Sequence, residues 1–409
     1  MMKDLLELTT HCIRCGFCLE ACPTFVTTGN EMESPRGRIY LVRSALEGRV
    51  EWQEDVRPHL DHCLGCRACE TACPSGVEYG TILELARDKV EQDKPQFTKL
   101  TLLNSTTKPS ALRAQLALGN LLPGKRMPGF ISKVLSGHSA EADLPTPQKA
   151  DTLPPLNLAN LTPIRGQVYL LEGCAMRVLY PRVHEATRRL LRRVGYEVLD
   201  VEQGCCGALH AHNGYVDNAK RLATELLLSM PKEIPVIVNS AGCGSTMKDY
   251  ENLLPDTAGA PKMAKRTFDA SEFLFNNGLQ DVLQTANGIA VRATYHDACH
   301  LAHGQKITSQ PRALLEAIPH LDLVPLPEAD MCCGSAGIYN VLQPQMARSL
   351  VERKYANIAS TLANVVATGN PGCHSWIAQA SKEHGQSVLV LHTLELLEAA
   401  FIGLEHFGN

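Results

Sequence analysis

Sixteen cysteines are a high number for a chain of 409 residues, and half of them crowd into two short runs. The first run reads HCIRCGFCLEACP and the second reads CLGCRACETACP. The cysteines of the two runs are Cys12, Cys15, Cys18, Cys22, Cys63, Cys66, Cys69 and Cys73. Thiolates are soft ligands that bind zinc, copper and iron–sulfur clusters, so the two runs predict a metal site.

The spacing within each run is typical of ferredoxin-type domains that hold two [4Fe–4S] clusters. Three cysteines separated by two residues each can reach three irons of one cube from a single loop, whereas the fourth cysteine reaches the neighbouring cube. Pro23 and Pro74 fix the backbone directly after the fourth cysteine and turn the chain away. The spacing predicts one cluster on Cys12, Cys15, Cys18 and Cys73, and a second cluster on Cys63, Cys66, Cys69 and Cys22.

Two alternatives for these cysteines are a zinc site and disulfide bonds. A zinc ion needs only four ligands, usually supplied as two separated pairs. Disulfides need an oxidising compartment. Two complete copies of the same eleven-residue spacing favour the iron–sulfur clusters over both alternatives.

The other eight cysteines form two matching sets, which indicates an internal duplication. The neighbourhoods match as LEGCA with HDACH, GCCGA with MCCGS, and NSAGC with GNPGC. The sets are Cys174, Cys205, Cys206 and Cys243 in the first copy, and Cys299, Cys332, Cys333 and Cys373 in the second. The repeat is therefore about 127 residues long, the distance from Cys205 to Cys332.

Each copy alternates β-rich apolar runs with stretches of helical periodicity. Strands are predicted at QVYLLEG, YEVLDV and IPVIVN in the first copy and at VRATYH, LDLVPL and ANVVAT in the second. Helices are predicted over 180–194, 215–230, 309–318 and 343–359. Such alternation forms βαβ units with a parallel sheet. Because ligands gather beyond the carboxyl ends of parallel strands, the four cysteines of each copy are expected to meet at one sheet edge.

These patterns predict a mixed α+β and α/β protein. A mostly helical two-cluster ferredoxin-type domain is followed by two duplicated βαβ modules, each with a parallel sheet. The predicted boundaries are 1–95 for the ferredoxin-type domain, 96–165 for a helical segment and proline-rich linker, 166–287 for the first repeat and 288–409 for the second. Helical pieces are expected within 97–135, and residues 141–165 hold five prolines without periodicity.

Composition and charge narrow the functional classes. A net charge of −4 argues against a general nucleic-acid-binding protein. The start MMKDLLELTT lacks an apolar segment of signal-peptide length, and no stretch approaches the roughly 18 apolar residues of a membrane span. We therefore expect a cytoplasmic protein. Peripheral attachment to the inner face of the cytoplasmic membrane, through a larger complex, stays open.

The order of two ferredoxin runs, a proline-rich linker and two CCG repeats resembles the iron–sulfur subunit family of bacterial glycolate oxidase (glycolate dehydrogenase). The resemblance covers nearly the whole chain and includes SPRGRIYL at 34–41, YHDACHLAHGQK at 295–306 and CCGSAGIYN at 332–340. It implies that partner subunits carrying FAD oxidise glycolate to glyoxylate. It also implies that this chain, which would have no catalytic residue of its own, relays electrons through two [4Fe–4S] clusters to an acceptor such as quinone.

The chain shows no recognisable flavin or nucleotide site. It has no G-x-G-x-x-G after a predicted strand and no P-loop. Two-electron chemistry on a hydroxy acid belongs to a flavin, whereas a cluster protein moves single electrons. The residues therefore agree with a relay subunit whose FAD lies on partner subunits.

Other families share parts of this pattern. The whole layout also resembles the iron–sulfur subunit of anaerobic glycerol-3-phosphate dehydrogenase. The CCG repeats resemble lactate-utilisation proteins and heterodisulfide reductase subunits, and in the latter the CCG site itself would carry the chemistry. The fullest CCG signature ends in C-x-x-C, whereas the endings here, CGST and CHSW, have one cysteine each. The four cysteines of each repeat are candidate metal ligands, and an additional iron–sulfur cluster, a zinc ion and an empty structural site all stay open.

Four glycines border the repeat cysteines at matched places. Gly207 and Gly334 follow the cysteine pairs, and Gly242 and Gly372 precede the last cysteine of each set. A glycine can adopt a positive φ angle and lets the backbone pass close to a bulky inorganic group. We expect all four to serve this purpose.

Histidines also lie beside the cysteines. His11 and His62 precede the first cysteine of each run, and we expect them outside the ligand sets because each cube already has four thiolates. Packing or hydrogen bonding is favoured over metal ligation for the histidines of the second repeat. These are His296, His300, His303 and His374.

Basic residues follow the first run and recur in the first repeat. Arg36, Arg38 and Arg43 could raise the reduction potential of an anionic cluster or could face solvent or a partner, and both interpretations stay open. Pro35 is predicted to start a helix with Ser34 as its N-cap. The run RRLLRR at 188–193 lies on a predicted amphipathic helix and is expected to face solvent rather than nucleic acid.

Overall fold

The structure is a computed structural model that describes residues 4–119, 126–127, 142–143, 147–149, 153–157, 161–385 and 388–408. Parts of the predicted proline-rich stretch at 141–165 lie outside these residues. The end of the predicted helical segment at 97–135 does so as well.

The N-terminal domain is mostly helical, as predicted. Short turns of 3₁₀ and π type at Glu31–Glu33 and Trp52–Val56 connect its helices. Val42, Val56 and Ile82 are fully buried in its core. The helices are Leu5–Thr10, Pro23–Thr28, Pro35–Leu46, Arg57–Asp61, Ala68–Thr71 and Tyr79–Asp93.

The helix Pro35–Leu46 begins as the sequence predicts. The Ser34 hydroxyl accepts a hydrogen bond from the Gly37 backbone N–H at 3.0 Å, and Pro35 occupies the first turn. A proline there loses no helical hydrogen bond, because the first N–H groups of a helix have no partner within it. This start places Arg36 and Arg38 in the first turn, between the two cysteine runs.

Two further helices, Phe97–Thr107 and Pro109–Gly119, lead from the N-terminal domain to the repeats. They agree with the helical pieces expected in this segment. Leu103 is fully buried against Tyr215 of the first repeat and Ile338 of the second. A short antiparallel pair follows, β1 (Arg126–Met127) with β2 (Ala142–Asp143).

Each repeat contains a four-stranded parallel sheet, which confirms the predicted fold class. In both sheets the first strand of the repeat pairs with the second and the third, and the fourth strand lies outside the third. The first sheet contains β3 (Gly166–Leu171), β4 (Tyr196–Val198), β5 (Val236–Val238) and β6 (Thr267–Asp269). The second contains β7 (Val291–His296), β8 (Leu321–Val324), β9 (Val365–Thr368) and β10 (Leu389–His392).

Helices cover the sheets and connect their strands. In the first repeat they are Ala175–Leu179, Pro181–Arg193, Ala208–His212, Val216–Ser229, Ala241–Lys248, Tyr250–Leu253, Ala260–Arg266, Ala270–Asn276 and Leu279–Gln284. In the second they are Ser309–Glu316, Tyr339–Leu342, Pro344–Ser360, Pro371–Glu383 and Thr393–Ile402, with shorter turns at His300–Gly304 and Leu404–Phe407. Within the described part of the chain, every helix is too short or too polar to cross a lipid bilayer.

The two repeats share one apolar core, in which the helices Pro181–Arg193 and Thr393–Ile402 face each other. Arg193 and Arg189 of the run RRLLRR lie 3.0 and 3.7 Å from the buried carboxylate of Glu398. The expectation that this run faces solvent was therefore wrong for these two residues. Its charges hold the two repeats together, because a buried carboxylate needs a cationic partner.

Candidate metal centres

The first cysteine run forms an exposed loop. Cys15 is exposed, and Cys12 and Cys18 are half-buried. Between them, the side chains of Ile13 and Phe17 are 67% and 71% exposed. This end of the molecule therefore presents both thiols and apolar side chains to its surroundings.

The second run has the same backbone shape in a different environment. The residues on either side of its second cysteine, Gly65 and Arg67, have φ angles of 66° and 63°, and their counterparts Arg14 and Gly16 have 59° and 91°. Left-handed conformations are rare outside glycine, so their recurrence at matched positions shows that both loops are built alike. Here, however, the cysteines at the centre of the loop are buried.

The structure brings Cys22 to the second run, as the spacing predicts. Burial raises the pKa of Cys69, and the neighbouring charges of Cys66, Cys63 and Cys22 raise it further. Two hydrogen bonds reach the Cys63 Sγ atom, from the Gly65 N–H at 3.4 Å and from the Tyr79 hydroxyl at 3.5 Å. This donor chemistry fits an anionic cluster, whose thiolates accept hydrogen bonds.

A buried ion pair lies beside the second run. Arg38 is 1% exposed and contacts the Glu33 carboxylate at 2.6 Å, and its guanidinium lies 4.0 Å from the Cys22 Sγ atom. Burial lowers the pKa of Arg38, but the adjacent negative groups, first among them Cys63, raise it overall. For Glu33, burial raises the pKa, but hydrogen bonds from His62 and His59 and the charge of Arg38 lower it to about 2. A permanent positive charge therefore stands next to the buried thiols.

The other basic and imidazole groups near the runs differ from Arg38. Arg36 pairs with Glu31 at 2.6 Å and donates to the Arg14 carbonyl oxygen of the first loop at 3.3 Å. Arg43 pairs at 3.0 Å with the exposed Glu47, which follows the end of its helix, and contacts neither run through the bonds it forms. His62 contacts Glu33 at 3.0 Å, which agrees with a position outside the ligand sets.

The buried run packs directly on the second repeat. Burial raises the pKa of Cys66 and the charge of Cys299 raises it further, because the two thiols are neighbours. The Tyr339 hydroxyl donates to the His62 carbonyl oxygen at 2.9 Å, and the Thr71 hydroxyl meets His303 Nδ1 at 2.9 Å. The second cysteine run therefore adjoins the cysteine set of the second repeat.

Each repeat brings its four cysteines together at the carboxyl edge of its sheet, as expected. Side-chain contacts link them in chain order in both copies. In the first repeat Cys174 contacts Cys205, Cys205 contacts Cys206, and Cys206 contacts Cys243. In the second repeat Cys299 contacts Cys332, Cys332 contacts Cys333, and Cys333 contacts Cys373. A cavity of about 1990 Å³ is lined by all eight of these cysteines and by Cys63.

The glycines beside these sets have a different purpose from the predicted one. Gly207 and Gly334 have φ angles of 85° and 89°, as expected, but a Cβ atom there would meet the carbonyl oxygens of Ala219 and Ala347 at 2.8 and 2.6 Å. Both positions thus require glycine because a following helix comes too close for a side chain. Gly242 and Gly372 lie in the first turns of helices without positive φ angles, so that expectation was wrong.

The histidines of the second repeat separate into two groups. His303 forms hydrogen bonds with Thr71 and with the Asp330 carbonyl oxygen. His374 packs edge-on against Tyr180, and its two ring nitrogens are buried without a hydrogen-bond partner among the described residues. His296 is different, because one of its ring nitrogens and the Sγ atoms of Cys333 and Cys373 lie within 4.8 Å of one another. The signal for this contact in the sequence is the position of His296 at the end of a strand, three residues before Cys299.

Family comparisons agree with this architecture. Residues 9–77 match the family model of the 4Fe-4S dicluster domain. Residues 168–248 and 293–378 each match the family model of the Cysteine-rich domain, also named CCG. These ranges contain both cysteine runs and both repeat sets.

Two curated relatives extend the match over nearly the full length. The probable glycolate oxidase iron–sulfur subunit of Bacillus subtilis (strain 168) is 34% identical over 420 residues, which cover 95% of this chain and 94% of the relative. The glycolate oxidase iron–sulfur subunit of Escherichia coli (strain K12) is 32% identical over 404 residues, covering 95% and 93%. This chain belongs to the glycolate oxidase iron–sulfur subunit family.

Relatives outside this family match different shares of this chain. A fumarate reductase (CoM/CoB) subunit of Methanothermobacter marburgensis is 27% identical over 95% of this chain and 72% of its own length. Lactate utilization protein A of Oceanobacillus iheyensis is 28% identical over 56% of this chain. A resemblance to lactate-utilisation proteins was expected, whereas one to fumarate reductase was not. The fumarate reductase subunit thus matches nearly the whole chain, whereas the lactate utilization protein matches about half of it.

Proposed function

We propose that this chain is the electron-relay subunit of a flavin-dependent complex that oxidises glycolate to glyoxylate. The oxidation releases two electrons and two protons, which a flavin on partner subunits accepts together. Two [4Fe–4S] clusters would supply one-electron transfer towards an acceptor such as quinone. The observation that carries this proposal is the order of thiols from the exposed loop, through the buried run, to the second repeat.

The cluster ligands in this proposal are those that the spacing predicts. Cys12, Cys15, Cys18 and Cys73 hold the exposed cluster, and Cys63, Cys66, Cys69 and Cys22 hold the buried one. The repeat cysteines are further candidate ligands, either of an additional cluster or of zinc. The domain boundaries at 95, 165 and 287 belong to the same proposal.

The exposed run is the proposed contact with the flavoprotein subunits. Apolar side chains that face water beside a redox centre are typical of a docking surface, because their burial stabilises the complex. Ile13 and Phe17 meet this description, and Tyr40, which is 40% exposed, lies beside them with its ring under Arg14. Electrons would enter at this loop and leave it towards the buried run.

The proposed compartment is the cytoplasm, with peripheral attachment to the membrane through the complex. All sixteen cysteines are free thiols, which agrees with a reducing compartment where cysteines serve as metal ligands. A quinone acceptor would require contact with the membrane, and the partner subunits or an acceptor protein would provide it.

The experiment that tests this function is a substrate screen on the complex, purified with its partner subunits and without oxygen. Reduction of an artificial dye is compared for glycolate, D-lactate and glycerol 3-phosphate. We expect dye reduction with glycolate, and only when the flavoprotein subunits are present. Preference for glycerol 3-phosphate or lactate would keep the relay role but replace the substrate, whereas glycolate turnover by this chain alone would contradict the relay role.

A second candidate function is reduction of a small substrate at the repeat cysteines. The cavity of about 1990 Å³ lined by all eight repeat cysteines favours it, since such a space can hold a substrate beside a metal centre. The reaction would add two electrons and two protons to an organic disulfide and release two thiols. Oxidation of a reduced dye by this chain and a disulfide, without partner subunits, would support this candidate, and absence of turnover would exclude it.

A further inference from the structure

His296 lies at the end of strand β7, three residues before Cys299, and it is fully buried. We propose that His296 is a nitrogen ligand of a transition-metal centre in the second repeat, alongside the thiolates of Cys333 and Cys373. The first repeat has no such ligand among its described residues. This inference goes beyond the relay function, and it holds whichever substrate the complex oxidises.

The hydrogen bonds of His296 leave one nitrogen available for a metal. Its Nδ1 atom lies 2.9 Å from the carbonyl oxygen of Ala329, which can only accept, so Nδ1 carries the proton. The Nε2 atom then carries a lone pair, and it has no hydrogen-bond partner among the described residues. Metal-binding histidines are commonly fixed in this way, with one N–H donated to a backbone carbonyl and the other nitrogen on the metal.

An unpartnered nitrogen alone does not make a ligand. His184 in the first repeat is also buried, binds Asn239 through Nδ1 and has an Nε2 atom without a partner in the part of the chain that the structure describes. What sets His296 apart is the pair of thiols within 4.8 Å. Three soft or intermediate donors that converge inside the protein can share one metal ion.

The two repeats differ at this point although their backbones match. Strands β3 and β7 are each six residues long with the same burial pattern, and Leu171 stands where the second repeat has His296. Both positions precede the first cysteine of their set by three residues. At this matched position the second repeat therefore has an imidazole, whereas the first repeat has an apolar side chain.

A second difference between the repeats lies beside Cys333. Lys354 is 2% exposed, and it donates hydrogen bonds to the carbonyl oxygens of Glu328 and Ala329. Its charge interacts with Cys333 and Cys332. Lys354 lies seven residues after Ala347, which contacts Gly334. The matching position in the first repeat, seven residues after Ala219, is the buried Leu226. A buried ammonium group is costly unless negative charge lies nearby, and a thiolate-rich metal centre supplies that charge.

The donors select a metal of intermediate softness. Imidazole and thiolate together suit zinc or iron, with bond lengths of about 2.0–2.1 Å to nitrogen and about 2.3 Å to sulfur for zinc. Side-chain contacts continue from Cys333 to Cys332 and from Cys332 to Cys299, so the other thiols of this set lie beside the group. If the metal is iron within a cluster, replacement of thiolate by imidazole raises the reduction potential, as histidine ligands do in other clusters.

The test compares metal content and metal–nitrogen coordination in the full-length protein, purified without oxygen. Iron and zinc per chain are counted, and the ligands are identified by X-ray absorption at both metal edges and by pulsed electron paramagnetic resonance of the reduced protein. We expect a metal beyond the two [4Fe–4S] clusters, with a directly bound nitrogen. We expect His296→Leu to lose this metal with at least about a tenfold fall in occupancy, and His296→Cys to keep it but lose the nitrogen signal.

The matched control is His184→Leu, which removes a buried imidazole that has no thiol pair and should leave metal content unchanged. The leucine at position 171 indicates that the fold accepts leucine at this end of the strand. A zinc edge with nitrogen and an iron signal with nitrogen coupling both support the proposal and identify the metal. Absence of a metal beyond the two clusters, or full metal content and an unchanged nitrogen signal in His296→Leu, would overturn it. Neither result depends on glycolate turnover, so failure here differs from failure of the relay function.

Discussion

The two cysteine runs have the same spacing and the same pair of left-handed backbone positions, yet their surroundings are opposite. The first run is an exposed loop with Ile13 and Phe17 facing outward. The second is buried against the second repeat, with the Arg38–Glu33 pair beside it. Local spacing therefore determines how a loop holds a cluster, and the rest of the chain determines what that cluster meets.

This difference suggests a direction for electron flow. An exposed cluster can receive electrons from a partner but is open to water. A buried cluster next to a fixed cation is stabilised in its reduced form, because the positive charge favours the added electron. Arg38 is thus expected to raise the reduction potential of the buried cluster relative to the exposed one.

The largest expected effect is loss of a ligand in the buried run. Changes around a metal site commonly cost about 10–100-fold in activity, so Cys66→Ser, which removes a ligand, should lower glycolate-dependent dye reduction by at least about 100-fold. It should also lower the midpoint of thermal unfolding, because metal binding contributes to folding. Activity of the purified complex and thermal unfolding of the chain measure the two effects.

Cys15→Ser in the exposed run is the matched control for stability. It should stop electron flow to a similar extent but lower the unfolding midpoint less, because Cys15 is exposed whereas Cys66 is buried. Equal destabilisation by the two variants would show that burial of the second run adds nothing to the stability of the fold.

The next effect concerns the buried ion pair. Arg38→Met leaves the Glu33 carboxylate without its guanidinium, and removal of one partner from a buried pair typically costs about 3–5 kcal/mol. The reduction potential of the buried cluster should fall as well. Denaturant unfolding gives the free energy, and a redox titration followed by electron paramagnetic resonance gives the potential.

Two variants separate these contributions. Arg38→Met combined with Glu33→Gln should recover part of the stability, since the uncompensated carboxylate is gone, and the potential should rise again relative to Arg38→Met, because a negative charge near the cluster is removed as well. Arg36→Met, which breaks a partly exposed pair beside the first run, should cost no more than about 1 kcal/mol. An unchanged potential in Arg38→Met would remove the electrostatic distinction between the runs.

A smaller effect is expected at the exposed loop. Phe17→Ser and Ile13→Ser should each weaken binding of the flavoprotein subunits by about tenfold, because apolar anchors at the centre of an interface carry much of its energy. Stability should change by no more than about 0.5 kcal/mol. Leu362→Ser is the control, since Leu362 is 78% exposed in the second repeat. Similar affinities for all three variants would place the docking surface elsewhere.

The smallest effect lies at the contact between the buried run and the second repeat. Tyr339→Phe removes the hydrogen bond to the His62 carbonyl oxygen and should lower the free energy of unfolding by about 1 kcal/mol. Electron transfer should change little, because the thiols keep their positions. A large loss of activity with unchanged stability would show that this tyrosine does more than hold the run in place.

Much of the fold followed from local patterns, and the failures share a physical cause. Cysteine spacing, the Ser34 cap and the apolar runs of three strands per repeat are local signals, and the structure agrees with them. The fourth strands, β6 and β10, were not predicted. Each runs directly into a helix without a loop that would mark its end.

The pairing of Arg193 with Glu398 and the packing of Cys66 beside Cys299 join residues far apart in the chain. No local pattern contains such contacts. The same reason explains why the geometry of His296 was missed, since the thiols near it come from loops that follow other strands. Spacing could name the candidate ligands, but only the assembled sheet edge could show which imidazole lies among them.

The most direct test of the relay is to mix the anaerobic complex rapidly with glycolate and to freeze samples for electron paramagnetic resonance. The account predicts that cluster signals appear within the turnover time when the flavoprotein subunits are present, and that Cys15→Ser leaves the buried cluster oxidised while the flavin becomes reduced. Reduction of the buried cluster at the same rate in Cys15→Ser and in the unaltered complex would contradict the proposed path through the exposed run.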